Sequence, residues 1–374
     1  MTLASLDRTT SRRAGTLDHP VAQARDLVLK YGWNATAYQI VNPGIRLWFT
    51  SDGGAVVGYV QRGRTRVVAG APVCAVDRIA AVVGEFEDQC AAERMSVCYF
   101  GAEERLEIVL RGSPSHAMVL LGAQPSWNPA RWASIIGGKA SLRAQLNRAR
   151  NKGVTVAPMS ALEATGHREL QRVLREWLAT RGLPPMHFLV EPETLSRLYD
   201  RRVFVARSRG SEIIAFLVAS PAPARGGWLI EQFVRGRAAP NGTVELLLDA
   251  AMRTFAAEGF RYVTLGLAPL SRYAVPAEVN PAWLRLVLKW VRAHGRRFYN
   301  FEGLDNFKAK FQPERWEPVY AIVNEPSFSP RTLYAIAAAF SDGSPIWTMV
   351  RAVWRGARTE LGWLRRRLAR RSRR

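Results

Sequence analysis

The chain has 374 residues, enough for about two or three domains at ~150 residues each and for a substantial core. Lys and Arg number 53 against 31 Asp and Glu, a formal charge of +22, yet only 22% of residues are charged and 48% are hydrophobic. That balance excludes a disordered polycation and places the charge on a folded body, which attracts a polyanion such as nucleic acid or an acidic membrane surface. Three cysteines, Cys74, Cys90 and Cys98, are too few for a disulfide scaffold and lack zinc-site spacing, which leaves buried thiols in a reducing cytosol.

Residues 1–20 read as a loose polar tail without the apolar core of a secretory signal. A short helix follows over 21–30, and the apolar stretches at 45–49, 55–61 and 65–73 read as strands. Helical spacing over 79–94 precedes a buried strand at 96–100, and 131–151 reads as one long helix stopped by Gly153. The second half begins at Val154, with a helix over 161–181 and strands at 203–206, 213–220 and 227–234. A Pro240-Asn241-Gly242 turn then opens a helix through Glu258, and a strand runs over 262–267. The order is mixed α/β. Ala91-Ala92-Glu93 and Ala256-Ala257-Glu258 each end a helix that leads into an aromatic-bearing strand closed by glycine, Gly101 and Gly266, at a constant offset of 165 residues. A repeat that long points to two copies of a whole domain. No run approaches the ~18 apolar residues of a membrane span; the longest, 333–340, has eight.

Four stretches carry candidate chemistry. Residues 139–152 hold five basic residues, Lys139, Arg143, Arg148, Arg150 and Lys152, and no acid, which reads as a phosphate-gripping stripe or as a solvated helix face. Residues 347–374 hold ten arginines and one glutamate. Their apolar residues recur at spacings of three and four, so Trp347 and Trp354 with Arg351, Arg355 and Arg358 read as a helix lying in an anionic bilayer interface, or else as a docking helix. Glu231 and Glu245 flank a basic loop, where they could hold an ammonium group or pair with nearby arginines. In 297–320, aromatic residues alternate with Lys308 and Lys310, which reads as core with two cations placed for an oxyanion or a phosphate. No GxxxxGK[ST], HExxH, GxSxG or CxxC motif is present, and five scattered histidines lack ligand spacing. This argues against metal catalysis and nucleotide hydrolysis and implies no metal or other cofactor.

LGLAPL (265–270), FYNFEGL (298–304), FKAKF (307–311) and WEPVY (316–320), with PNG at 240–242 and the basic SLRAQLNRARNKG helix, resemble the C-terminal synthase region of bacterial aminoacyl-phosphatidylglycerol synthases over about 31–324. The resemblance implies an α/β (α+β) pair of tandem acetyltransferase-like (GNAT) folds, in a stand-alone form without the family's membrane-spanning flippase part. The expected organisation is a tail (1–20), a first GNAT-like domain (21–130), a basic linking helix (131–153), a second GNAT-like domain (154–325) and a basic membrane-surface tail (326–374). The implied reaction moves a lysyl- or alanyl-type group from aminoacyl-tRNA to a lipid hydroxyl such as that of phosphatidylglycerol. It would run in the cytoplasm, peripherally on the inner face of the membrane. Lys308 and Lys310 are then the expected catalytic pair. Glu231, Arg235, Asn241, Glu245, Gly266 and Tyr299 would bind the aminoacyl group and acceptor, and the 139–152 cations would bind tRNA. Two departures stand out: Glu231 where the family usually has Asp, and AGAPV (69–73) without an Asp between glycine and proline. A non-catalytic polyanion-binding protein is the alternative; an acyl-CoA-dependent N-acyltransferase ranks lower, because [RQ]xxGx[GA] is not evident in either half.

Overall fold

The computed structural model describes residues 18–180, 187–190, 194–274, 280–294 and 300–341. The strands in chain order are β1 (Arg46–Phe49), β2 (Val56–Arg62), β3 (Thr65–Ala69), β4 (Ser96–Ala102), β5 (Ala117–Trp127), β6 (Thr155–Met159), β7 (Arg202–Arg207), β8 (Ile213–Ala222), β9 (Gly227–Arg235), β10 (Tyr262–Thr264), β11 (Ala268–Pro269) and β12 (Arg315–Val323). The helices are α1 (His19–Tyr31), α2 (Ile79–Ala92), α3 (Glu104–Leu110), α4 (Trp132–Gly138), α5 (Ala140–Asn151), α6 (Ala161–Ala164), α7 (Arg168–Ala179), α8 (Thr243–Ala257), α9 (Ala282–His294), α10 (Phe301–Ala309) and α11 (Pro330–Ala339).

All the described strands join one sheet in the order β1-β2-β3-β4-β12-β5-β10-β9-β8-β7-β6, with β11 pairing β5 off that path. Two parallel pairs mark the duplicated unit. β3 pairs β4 after the α2 crossover, and β9 pairs β10 after the α8 crossover. The glycines matched by the sequence repeat, Gly101 and Gly266, both take positive φ, 83° and 68°, where a side chain on Cβ would be strained. The expected mixed α/β order is thus present, with two βαβ units in one continuous sheet. At their junction β12, late in the chain, lies between β4 and β5 of the first half, and β5 lies against β10 of the second.

The helix expected over 131–151 is two helices. They break at Lys139, whose backbone is extended (φ −114°, ψ 93°), directly after Gly137-Gly138, each of a residue type that costs a helix interior about 1 kcal/mol relative to alanine. Arg143 donates to the Ile136 carbonyl at 3.3 Å and to that of Gly137, closing the C-terminus of α4. The helix expected over 161–181 also divides, into α6 with a Ser160–Glu163 capping box and α7, around Gly166 at φ 73°. β10 is shorter than the 262–267 expectation because the chain leaves β9 after Thr264. Within the expected 326–374 tail, residues 330–339 form α11, which buries Ala335 and Ala339 against β2 and β3; residues 342–374 and 1–17 lie outside the described residues.

The α4–α5–α8 layer packs Trp132, Leu142, Leu146 and Ala149 against Leu247, Met252 and Phe255 over the second half of the sheet. One buried carboxylate ties the three helices. Asp249 accepts from the Trp132 indole N–H at 3.0 Å, from Arg253 at 3.0 Å and from Arg150 at 3.1 Å. Asp249→Ala strands that indole donor and two guanidinium partners, so a loss of about 2–4 kcal/mol is expected. Urea denaturation measures it, and an unchanged midpoint would refute the role.

Candidate functional site

β9 ends at Arg235, and the chain turns through Ala239, Pro240 and Asn241 before α8 begins. Arg235 pins this turn, donating to the Ala239 carbonyl at 2.6 Å and to Asn241 Oδ1 at 3.2 Å. Thr243 Oγ1 donates to the Pro240 carbonyl at 2.7 Å. Gly242 has φ 94°, and a Cβ there would collide with the Gln145 carbonyl oxygen, so only glycine lets the turn lie this close to α5. α10 approaches from the other side with Phe307, and Lys310 follows at its C-terminus.

These three segments enclose a pocket of about 290 Å³, lined by Gln145 and Arg148 of α5, by Arg235 and residues 240–245, and by Phe307 and Lys310. Lys310 Nζ donates to Glu245 Oε1 at 2.7 Å and lies 4.4 Å from the Phe307 ring centroid, a cation held by a carboxylate and an aromatic face. Three cationic side chains face one carboxylate at the start of α8, where the helix dipole adds positive potential. The arrangement can receive an anion and, through Glu245, an ammonium group. The pocket brings together Arg148, Arg235, Asn241, Glu245 and Lys310 of the residues expected from sequence.

The other expected residues lie elsewhere. Lys308 is buried, and its Nζ donates to the carbonyls of Gly266 at 2.7 Å and Leu267 at 3.0 Å. It fastens α10 to the segment that diverges from β9. Burial draws its ammonium down to about 7, against the opposing pull of Asp305. Glu231 accepts from Arg201 Nε at 2.9 Å and Gln39 Nε2 at 2.8 Å, while the fully buried Arg201 also donates to Asn42 at 2.8 Å. Its carboxylate therefore ties β9 to the 37–42 turn and does not line the pocket. Of the basic stretch, Arg143 closes α4 and Arg150 pairs with Asp249. Arg148 lines the pocket, Lys139 sits at the helix break and Lys152 is exposed. Tyr299, Trp347, Trp354, Arg351, Arg355 and Arg358 lie outside the described residues.

Sequence reading missed Gln145, Thr243 and Phe307 as lining residues, although Gln145 and Phe307 lie within motifs it singled out and Thr243 adjoins one. It also missed a buried network between the halves. Arg225 donates to Glu103 at 2.5 Å and to Glu317 at 2.7 Å, and its guanidinium lies 4.4 Å from the Trp33 ring centroid. Burial raises the Glu103 carboxyl to about 7 against the opposing pull of Arg225. No local pattern marks residues so far apart in the chain. Among the described residues, no three His, Cys, Asp or Glu side chains gather to hold a metal ion.

Residues 25–323 match the family described as phosphatidylglycerol lysyltransferase, C-terminal. The chain belongs to this family. It is 25% identical over 277 residues to the phosphatidylglycerol lysyltransferase of Bacillus subtilis, covering 74% of this chain and 32% of that protein. It is 22% identical over 309 residues to that of Staphylococcus aureus, covering 81% and 35%. The chain thus spans about a third of the length of these relatives. Among solved structures, the C-terminal domain of a putative lysylphosphatidylglycerol synthetase from Agrobacterium fabrum shares the fold at TM-score 0.73 and 24% identity, covering 87% of this chain and 98% of that one. L-PGS from Bacillus licheniformis does so at TM-score 0.70 and 23% identity, covering 86% and 97%.

The Lys308 environment makes a signed pH prediction. An unfolded lysine keeps its proton to about pH 10.4, so the unfolded chain holds more protons than the folded one above about pH 7, and stability rises with pH through that window. The rise attributable to Lys308 is about 2 kcal/mol between about pH 7 and 9. Lys308→Met should abolish it in denaturation midpoints taken across that range; a variant with the wild-type slope would show that another group carries it.

Proposed function

We propose that the protein transfers an aminoacyl group from aminoacyl-tRNA to the hydroxyl of an anionic lipid of the phosphatidylglycerol type. The observation that carries this reading is convergence. The basic SLRAQLNRARNKG helix, the PNG turn and the FKAKF segment, three of the motifs behind the family resemblance, line one cationic pocket. In the reaction the lipid hydroxyl oxygen attacks the ester carbonyl, a tetrahedral oxyanion forms, and the bond to the ribose oxygen breaks. The proton lost by the lipid hydroxyl ends on the ribose. Because the ester is already activated, positioning and charge stabilisation can supply much of the acceleration.

The pocket suggests a division of labour. Lys310 stands beside both the aromatic wall and Glu245, so an incoming aminoacyl ammonium can take over Glu245 and release Lys310 toward the oxyanion. Arg235 is braced by the turn and Arg148 lies on the exposed face of α5, positions that suit a phosphate of the tRNA end or of the lipid headgroup. Lys308, engaged with two carbonyls, acts by holding α10 in place. The acceptor implies a peripheral station on the inner face of the membrane; no helix among the described residues is long and apolar enough to cross one.

Radiolabelled amino acid supplied on tRNA is expected to move into a chloroform-soluble product, and Lys310→Ala to slow that transfer about 10²-fold. Arg148→Ala should also flatten the log–log salt dependence of tRNA binding by about one unit. If every aminoacyl-tRNA fails as donor while salt-sensitive RNA binding persists, the reading gives way to that of a polyanion-binding protein.

A further inference from the structure

The helix α9 presents apolar side chains on two sides. Leu284 is 2% exposed and packs with Trp283 and Leu288 against Val119, Ala321 and Ile336 on the sheet and α11. Leu286 stands about 160° around the helix from Leu284 by the geometry of 100° per residue, and it is 70% exposed. Val287, on the flank, is 37% exposed. A helix whose only task is to cover the core places polar residues at such positions. Here the exposed leucine is accompanied by exposed Arg285 and Lys289, and no acidic residue occurs anywhere from 280 to 300, a stretch with five Lys and Arg.

We propose that this outer edge of α9, centred on Leu286 and Val287 and bordered by Arg285 and Lys289, is a docking surface that lies in an anionic bilayer interface. Apolar side chains of this size gain by entering the headgroup–acyl boundary, and the long basic side chains beside them can reach lipid phosphates while their stems stay in the apolar layer. The absence of acids along 280–300 removes the repulsion that an anionic surface would otherwise meet. Position supports the same partner. Only residues 295–300 separate α9 from α10, whose Phe307 lines the pocket, so the end of α9 lies within about 25 Å of the start of α10 along the chain. The chain connection thus ties α9 to the helix that walls the cavity where the lipid headgroup is required. The proposal rests on a lipid being the acceptor, but its test does not depend on turnover.

The test is flotation of the whole 374-residue chain with vesicles of phosphatidylcholine alone or mixed with phosphatidylglycerol. Leu286→Asp with Val287→Asp is expected to weaken binding to the mixed vesicles at least about tenfold. Arg285→Gln with Lys289→Gln is expected to weaken it about fivefold for each charge removed, and only where phosphatidylglycerol is present. Both variants should keep wild-type transfer to a water-soluble short-chain phosphatidylglycerol, which also reports that they fold. Wild-type flotation of the aspartate variant overturns the proposal, whether the basic segment after residue 341 or another face then holds the membrane. Loss that is equal on neutral vesicles for the glutamine variant overturns the anionic part. A wild-type protein that floats through α9 yet transfers nothing to the soluble lipid upholds the docking surface and removes the transferase reading instead.

Discussion

The antiparallel pairing of β5 with β12 is the contact on which the rest of the molecule depends. It runs in register from Arg315 opposite Ser126 to Val323 opposite Ala117, with one irregularity between Val319 and Tyr320. The ladder makes one sheet of two βαβ units. Because β12 also pairs β4 and β5 also pairs β10, each half supplies the strand that completes the edge of the other. Unpaired edges of that length would expose a row of backbone donors and acceptors, and the exchange removes two of them. It also fixes α10, which enters β12 through a short connection, against the β9–α8 turn that forms the opposite wall of the pocket.

The pocket is built by a close approach of like charges that one carboxylate makes tolerable. Arg148, Arg235 and Lys310 share a small volume at a helix start that is itself positive, an arrangement that costs stability unless something offsets it. Glu245 offsets part of it through Lys310, and the turn carbonyl of Ala239 occupies part of Arg235. The residual positive potential is a standing attraction for an anion. Nearby, the buried Lys308 amine satisfies the Gly266 and Leu267 carbonyls, so the short segment between β10 and β11 is fixed by a side chain while its two flanks pair with β5.

Much of the architecture could be read locally. The helix–strand–glycine repeat ending at Gly101 and Gly266 pointed to the two βαβ units, because both glycines meet the same backbone requirement of a positive φ where the strand ends. Five pocket residues were legible because basic helix, tight turn and aromatic–lysine segment are each recognisable alone. What was not legible is what long-range packing decides. Glu231 resembles a binding carboxylate beside its basic loop until Gln39, 192 residues away, and Arg201 close against it. The split of 131–151 was present in the sequence as a glycine pair, but apolar spacing on both sides outweighed it. The order of strands at the seam has no local signature, since it pairs residues roughly two hundred positions apart.

The Arg225 guanidinium, shared by Glu103 of one half and Glu317 of the late-chain strand, bears on how such a protein can change over time. A charge already sealed from solvent permits no gradual loosening: parted from the second half, the first would leave the Glu103 carboxyl without the guanidinium that offsets its burial, and Arg225 would keep only Glu317. The exchanged strands and this shared cation bind the fates of the two halves, so sequence drift on one side of the seam must be answered on the other.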